Sequence, residues 1–340
     1  MIKYIMYVLI QSKIRKDWII MEQITDNKAL QKKAADIVNE VRKVVLGKDD
    51  IIDKVMCAIA AGGHILLDDI PGVGKTTMAL SFSKAMSLNY SRLQFTPDVL
   101  PTDVTGFSIY DKKTDSFVYK PGAAICNLFL ADEINRTSSK TQSALLEIME
   151  EGKVTVDGVT REMPKPFCVI ATENPIGYVG TQMLPESQLD RFMVQLSLGY
   201  PDKENETLIL KNRQGANPLD SVNAVANAED IINIQKAAEG IFTHDKIYEY
   251  IAEIASATRN HEMIELGLSP RGTLAITKLA RAHAFLCSRE FVSPDDVTDI
   301  LPYAAIHRIV LSPKARIANK DAKTVLDEII KSVKLPKVDN

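Results

Sequence analysis

The chain has 340 residues, 46% hydrophobic and 25% charged, with 41 Lys and Arg against 44 Asp and Glu for a formal net charge of -3. That composition speaks against disordered, fibrous and polytopic membrane classes, and the length suits about two domains. Split at residue 200, the charges are 23 positive and 24 negative before it and 18 and 20 after it, so neither half is the basic domain that affinity for nucleic-acid phosphates favours.

In chain order, the first feature is an apolar run, Tyr4 to Ile10, flanked by Lys3, Lys13, Arg15 and Lys16. It is too short for the roughly 30 Å of a bilayer core, and no small-residue cleavage site follows. No membrane insertion and a cytoplasmic location are therefore expected. A more conventional polar helical opening starts at Met21, so residues 1–20 read either as an extension or as the product of an unused upstream start.

From about residue 27, short apolar runs alternate with helical patterns. Candidate strands are His64–Leu67, Arg92–Phe95, Leu128–Ala131 and Phe167–Ala171, with helices over Thr76–Met86 and Thr141–Glu151. That alternation predicts a parallel sheet covered on both faces. Phe107–Pro121 and Lys153–Glu162 read as hairpins, the second around the Asp157-Gly158 turn. After Tyr200 the strands are expected to stop. Ser269-Pro270 and Ser293-Pro294 each set an N-cap serine before a first-turn proline, Thr243–Arg259 and Asp321–Val333 carry helical spacing, and Gln214–Asp230 reads as a loop. The expected architecture is an N-terminal extension at 1–26, disordered or helical, then an α/β core at 27–200 and a helical domain at 201–340. Cys57, Cys126, Cys168 and Cys287 are far apart and form no metal-ligand spacing, so they read as buried small hydrophobes in a reducing compartment.

The strongest local signal is DIPGVGKT, Asp69 to Thr76, directly after the first strand. A phosphate-binding loop needs small residues so that successive N–H groups turn onto phosphate oxygens, a lysine for the β and γ phosphates, and a hydroxyl for Mg²⁺. Gly72 and Gly74, Lys75, and Thr76 meet these needs in turn. The general pattern starts with glycine where this chain has Asp69; the plainer alternative is a Gly-rich turn opening an ordinary helix. LFLADE, Leu128 to Glu133, is a strand ending in two carboxylates, Asp132 lying 57 residues beyond Lys75. Asp132 is suited to orient the Mg²⁺ water shell and Glu133 to take a proton from an attacking water. Two carboxylates beside a polyphosphate repel it unless a cation lies between them, so the charges call for Mg²⁺.

VIATENP, Val169 to Pro175, ends another strand at Asn174, whose neutral amide suits the γ-phosphate and the lytic water. By itself an Asn before Pro is a turn residue. Arg191, in LPESQLDRF, lies beyond the last predicted strand, where it reaches a neighbouring subunit's γ-phosphate more readily than its own; such arginines are worth on the order of 10³ to 10⁵ in rate. The plainer alternative is an ion pair with Asp190 or Glu186. Arg271 sits in the first turn of a predicted helix, where the helix dipole already carries positive charge, a conflict that a nearby anion removes.

These blocks together resemble the AAA+ ATPases, and within them the MoxR family: GGHILLDDIPGVGKTTMA (62–79), RLQFTPDVLPTDVTG (92–106), LFLADEINRTSSKTQSALLEIMEEGKVTVDG (128–158), VIATENP (169–175) and LPESQLDRFMVQLSLGYPDKENE (184–206). The resemblance spans roughly residues 30–335. It implies a P-loop three-layer α/β/α core with a helix-2 insert at 107–121 and a pre-sensor-1 hairpin at 153–162, followed by an all-α lid. It further implies an ATP-binding set of Gly47, Pro71, Gly72, Val73, Gly74, Lys75, Thr76 and Thr77, with Mg²⁺ held at Thr76 and Asp132. Glu133, Asn174 (sensor 1), Arg191 (arginine finger) and Arg271 (sensor 2) are the implied catalytic set, Arg271 acting on its own or a neighbour's nucleotide. By the same resemblance the chain forms homo-oligomeric rings, commonly hexamers, and acts as a chaperone-like factor on a client protein with a von Willebrand A-domain partner. Three alternatives stay open: a magnesium-chelatase-like motor subunit, an MCM-like nucleic-acid motor, and a nucleotide switch with negligible turnover. The hairpin charges, Lys153 and Arg161 against Asp157 and Glu162, and Lys112 and Lys113 against Asp111 and Asp115, are balanced and disfavour a DNA-tracking pore, so no nucleic acid is expected.

Overall fold

A computed structural model describes residues 26–70, 72–174, 184–212 and 217–336. Residues 1–25, which contain almost all of the expected extension, and Pro71 lie outside the described residues. Helix α1 covers 26–42 and α2 Asp49–Ala60. There follow β1 (Ile65–Asp68), α3 (Lys75–Ala85), β2 (Tyr90–Gln94), α4 (Pro101–Thr105), the hairpin β3 (Gly106–Asp111) and β4 (Ser116–Pro121), β5 (Leu128–Asp132), and α5 (Ser139–Glu151). A second hairpin, β6 (Lys153–Val156) and β7 (Val159–Glu162), leads to β8 (Cys168–Glu173), α6 (Glu186–Leu189) and β9 (Val194–Leu196).

β1, β2, β5, β8 and β9 form one parallel sheet in the order β2-β5-β8-β1-β9. Strand residues alternate between two apolar layers, as the two-residue period of a strand requires. Ile65, Leu67, Leu128, Leu130, Cys168 and Ile170 face a layer with Met78 and Phe82 of α3. Leu66, Phe129, Ala131, Val169 and Ala171 face the opposite layer, with Leu145, Leu146 and Ile148 of α5 and Phe192. Both faces are covered, which is why these strands read as unbroken apolar runs. The three-residue β9 is too short to leave a periodic signal, and it was not expected.

The C-terminal part holds α7 (Lys203–Asn212), α8 (Ala228–Glu239), α9 (Asp245–Arg259), β10 (Ile264–Leu266), α10 (Pro270–Leu286), α11 (Pro294–Ala305), β11 (Val310–Leu311), α12 (Pro313–Ile317) and α13 (Ala322–Ser332). Ser269 and Ser293 cap α10 and α11 as their spacing predicts, accepting from Gly272 and Asp296 N–H. Two expectations need correction. Strands do not stop at Tyr200, because β10 and β11 pair antiparallel; at two and three residues neither shows alternation. The predicted 214–230 loop ends early, since Asn227 and Asp230 form a reciprocal cap and α8 begins at Ala228. Residues 213–216 lie outside the described residues.

The helical part shares a core with the sheet. Apolar residues of α8, α9, α10, α11 and α13 are continuous with the α3 layer through α2, where the Cys57 thiol donates to the Leu279 carbonyl at 3.5 Å. Cys57, Cys126 and Cys168 are buried as expected, whereas Cys287 is exposed, at the end of α10. Among the described residues no helix is long and apolar enough to cross a membrane.

Candidate nucleotide site

Because the five strands are parallel, every strand exit lies on one edge of the sheet and every entrance on the other. Gln94 and Asp132 end their strands, and Asp69, Glu133 and Asn174 directly follow theirs, so all five stand at strand exits. At the loop between β1 and α3, Gly72 and Gly74 have φ of +86° and +101°, and a Cβ on either meets nothing within 4 Å. Glycine is needed there for backbone direction, and the open space before the loop is what a phosphate group would occupy. Lys75, the first residue of α3, donates through Nζ to the carbonyls of Asp69 at 2.6 Å and Glu173 at 3.4 Å. Burial lowers its pKa, opposed by the nearby carboxylates of Asp69, Asp132, Asp68 and Glu133. Thr76 and Thr77 stand in the same first helical turn.

Thr172 organises the carboxylates. Its hydroxyl donates to Asp132 at 2.7 Å and accepts from the Glu133 N–H at 2.8 Å. Arg92 also holds Asp132, at 2.6 Å, while Arg136 holds Glu133 at 2.7 Å. Glu133 has φ of +57°, a left-handed conformation costing roughly 1–3 kcal/mol for a non-glycine residue. The Thr172 hydrogen bond to its N–H helps hold the side chain at the strand exit. Asn174 is buried, and its carbonyl accepts from Asn135 Nδ2 at 3.2 Å. Next to it, Glu173 is pushed up to about 7 by burial and then by Asp68.

Beside the loop lies a cavity of about 340 Å³ lined by Val44, Val45, Leu46, Lys48, Gly72, Val73, Gly74 and Thr77 together with α7 residues, apolar enough for a planar base. Gly47 is not in that lining. A Cβ on it would sit 2.3 Å from the Asn205 amide, so its glycine lets α7 approach the 44–48 turn.

Arg191 and Arg271 are elsewhere. Arg191 precedes β9, and Met193 N–H bonds the carbonyl of His64, just before β1, at 2.8 Å; this is the entrance edge of the sheet. Glu150, on the last turn of α5, accepts from Arg191 Nε at 2.8 Å and from Arg271. An intrachain ion pair therefore exists for Arg191, but its partner is Glu150 rather than Asp190 or Glu186. Asp190 instead pairs with the buried Arg308 at 2.6 Å and accepts from Ser269 Oγ at 2.9 Å.

The chain matches the family described as ATPase family associated with various cellular activities (AAA) over residues 64–194 and the AAA lid domain over 256–329. It is 46% identical to the uncharacterized protein YeaC of Bacillus subtilis, covering 88% of this chain and 93% of that one. It is 36% identical to chaperone MoxR1 of Mycobacterium tuberculosis, covering 88% of this chain and 81% of the relative. The chain belongs to the MoxR family of AAA+ ATPases. A solved structure of a candidate ATPase from Cytophaga hutchinsonii superposes with a TM-score of 0.88 at 33% identity, covering 95% of this chain and 99% of the other.

In this MoxR-family chain the sequence-predicted residues thus divide. Lys75, Thr76, Thr77, Asp132, Glu133 and Asn174 share the exit edge, whereas Arg191 and Arg271 share the entrance edge. Sequence reasoning missed Thr172, Arg92, Glu173 and Glu150. Thr172 and Glu173 read as the tail of a buried strand, and Glu150 reads as one charge of a polar helix face. Only the pairing of distant elements gives Thr172, Arg92 and Glu150 their partners.

Proposed function

We propose that this MoxR-family chain is an Mg²⁺-dependent ATP hydrolase working as a ring, commonly a hexamer, in which each nucleotide is completed by Arg191 and Arg271 of a neighbouring copy. The observation that carries this is the split between the two edges. β1 separates them by about 13 Å at ~3.3 Å per residue, and Glu150 ties both arginines to the edge away from Lys75 and Glu133. Contact with phosphate from a second subunit follows naturally from that arrangement, for Arg271 as for Arg191.

On the exit edge, the Gly72–Lys75 backbone and Nζ hold the polyphosphate, Glu133 accepts a proton from the attacking water, and the Asn174 amide orients that water. The hydroxyl of Thr76 and carboxylate of Asp132 suit a hard divalent cation, which supplies charge neutralisation between phosphate and carboxylates. The left-handed backbone at Glu133 is the strain expected of a residue held for chemistry rather than stability.

A protein client fits the exposed surface better than nucleic acid. On the β3–β4 hairpin, Phe107 and Ile109 are exposed on one face and the paired Tyr110 and Phe117 on the other, apolar surface suited to polypeptide. Arg161 stacks on Tyr119 of the neighbouring hairpin at 3.9 Å, so its guanidinium is already engaged within the chain. A relative named as a chaperone supports a chaperone-like task; maturation or assembly of clients, a von Willebrand A-domain partner and a cytoplasmic setting belong to the same proposal.

The test is phosphate release with Mg²⁺ and ATP. Glu133→Gln should lose on the order of 100-fold or more in turnover while still binding ATP. Equal release by wild type and Glu133→Gln overturns the hydrolase reading.

A further inference from the structure

We infer that Glu150 is a positioning residue for the shared nucleotide site: it sets Arg191 and Arg271 side by side so that their remaining N–H edges meet an anion presented by the adjacent subunit. This rests on the shared-site reading above and adds to it the group that aims the two arginines.

The charge placement is otherwise hard to account for. Glu150 lies in the last turn of α5 and Arg271 in the first turn of α10. A carboxylate at a helix C-terminus and a guanidinium at a helix N-terminus each oppose the local dipole. Paired with each other and with Arg191, both conflicts are offset. Each oxygen of Glu150 takes one arginine, which also offsets the repulsion between two adjacent guanidiniums.

The geometry leaves the arginines able to bind. Arg191 uses only Nε toward Glu150, and among the described residues its two Nη groups have no hydrogen-bond partner. Arg271 uses one Nη2 in the same way. A guanidinium so anchored offers a fixed fork to a phosphate. Arg191, Arg271 and Lys278 line, with Glu150, a cavity of about 360 Å³. Arg308 and Asp190 in its wall cancel each other, so three cations face one carboxylate and the cavity favours an anion. Glu150 and both arginines keep a quarter or more of their side chains exposed, as a site approached from outside requires.

The experiment compares wild type, Glu150→Gln, Glu150→Asp, Arg191→Ala and Lys75→Ala, alone and in mixtures. Glu150→Gln should lower kcat about 10- to 100-fold, the scale of a misplaced catalytic group. Its affinity for a fluorescent ATP analogue should stay within about twofold, since the interaction lost is made in the transition state. Glu150→Asp, which keeps the charge, should recover part of that kcat. Mixing Glu150→Gln with Lys75→Ala should restore turnover as mixing Arg191→Ala with Lys75→Ala does, because one partner brings intact phosphate loops and the other correctly aimed arginines. Wild-type kcat in Glu150→Gln, with rescue in the Arg191→Ala mixture, overturns the role of Glu150 and leaves shared sites standing. Loss of analogue binding by Glu150→Gln, or failure of its mixture alone to recover, places its effect in the fold and overturns the inference. Failure of the Arg191→Ala mixture removes the shared-site reading, and the inference with it. Should Glu150→Gln fold poorly, Glu150→Asp carries the same test: unchanged kcat overturns the inference, and reduced kcat with unchanged affinity supports it.

Discussion

Asp69 stands where a phosphate loop commonly begins with glycine, and its carboxylate is turned to other work. Oδ2 accepts from Leu198 N–H, from Gly199 N–H at 2.8 Å and from Ser197 Oγ at 3.2 Å, while Oδ1 accepts from Ile70 N–H at 2.9 Å. The side chain therefore ties the loop to the chain leaving β9 and points away from the loop's open face. Asp69→Gly, which restores the general pattern, should cost roughly 2–3 kcal/mol because buried N–H groups lose a charged acceptor. Denaturant unfolding measures that loss; an unchanged midpoint with raised turnover refutes this role. The sequence marks Asp69 as a departure and nothing more, because its partners lie about 130 residues downstream.

Elements are joined by a few polar bolts, and His64 is one. It precedes β1, its Nδ1 accepts from Val169 N–H in β8 at 3.0 Å, and its Nε2 donates to the Met149 carbonyl in α5 at 3.0 Å. Those partners assign a neutral imidazole, and burial lowers its pKa to about 4. The unfolded chain binds a proton near pH 6.5 and the folded chain only near 4. The contribution is thus complete above pH 6.5 and is lost as pH falls toward 4, at roughly 1.4 kcal/mol per pH unit. Denaturation of wild type and His64→Gln at pH 7 and pH 5 tests this. The variant's pH slope should shrink by about one proton, and equal slopes exonerate His64. The second hairpin shows the same dependence on distant elements: its charges read as a balanced tip, yet Arg161 is stacked on Tyr119 of β4.

For the whole molecule, the decisive junction joins the helical part to the sheet. Arg308, before β11, donates to Asp190 and to the carbonyls of Asp190, Phe192, Met193 and Ala304, while Ser269 at the head of α10 donates to Asp190. Asp190→Asn leaves Arg308 buried without its counter-ion and should cost about 3–5 kcal/mol; a loss under about 1 kcal/mol in denaturant unfolding means the junction carries little. By itself the sequence determined the parallel α/β core, the two hairpins, the helix caps and the residues around the phosphate loop. Those features are encoded within short windows by strand runs, glycine conformation and capping side chains. Tertiary structure alone decided that Arg191 and Arg271 stand together on Glu150 at the edge opposite Lys75 and Glu133. Strand polarity and the packing of α10 against the core set that placement, through contacts between residues 41 and 121 positions apart, a separation that no local periodicity records.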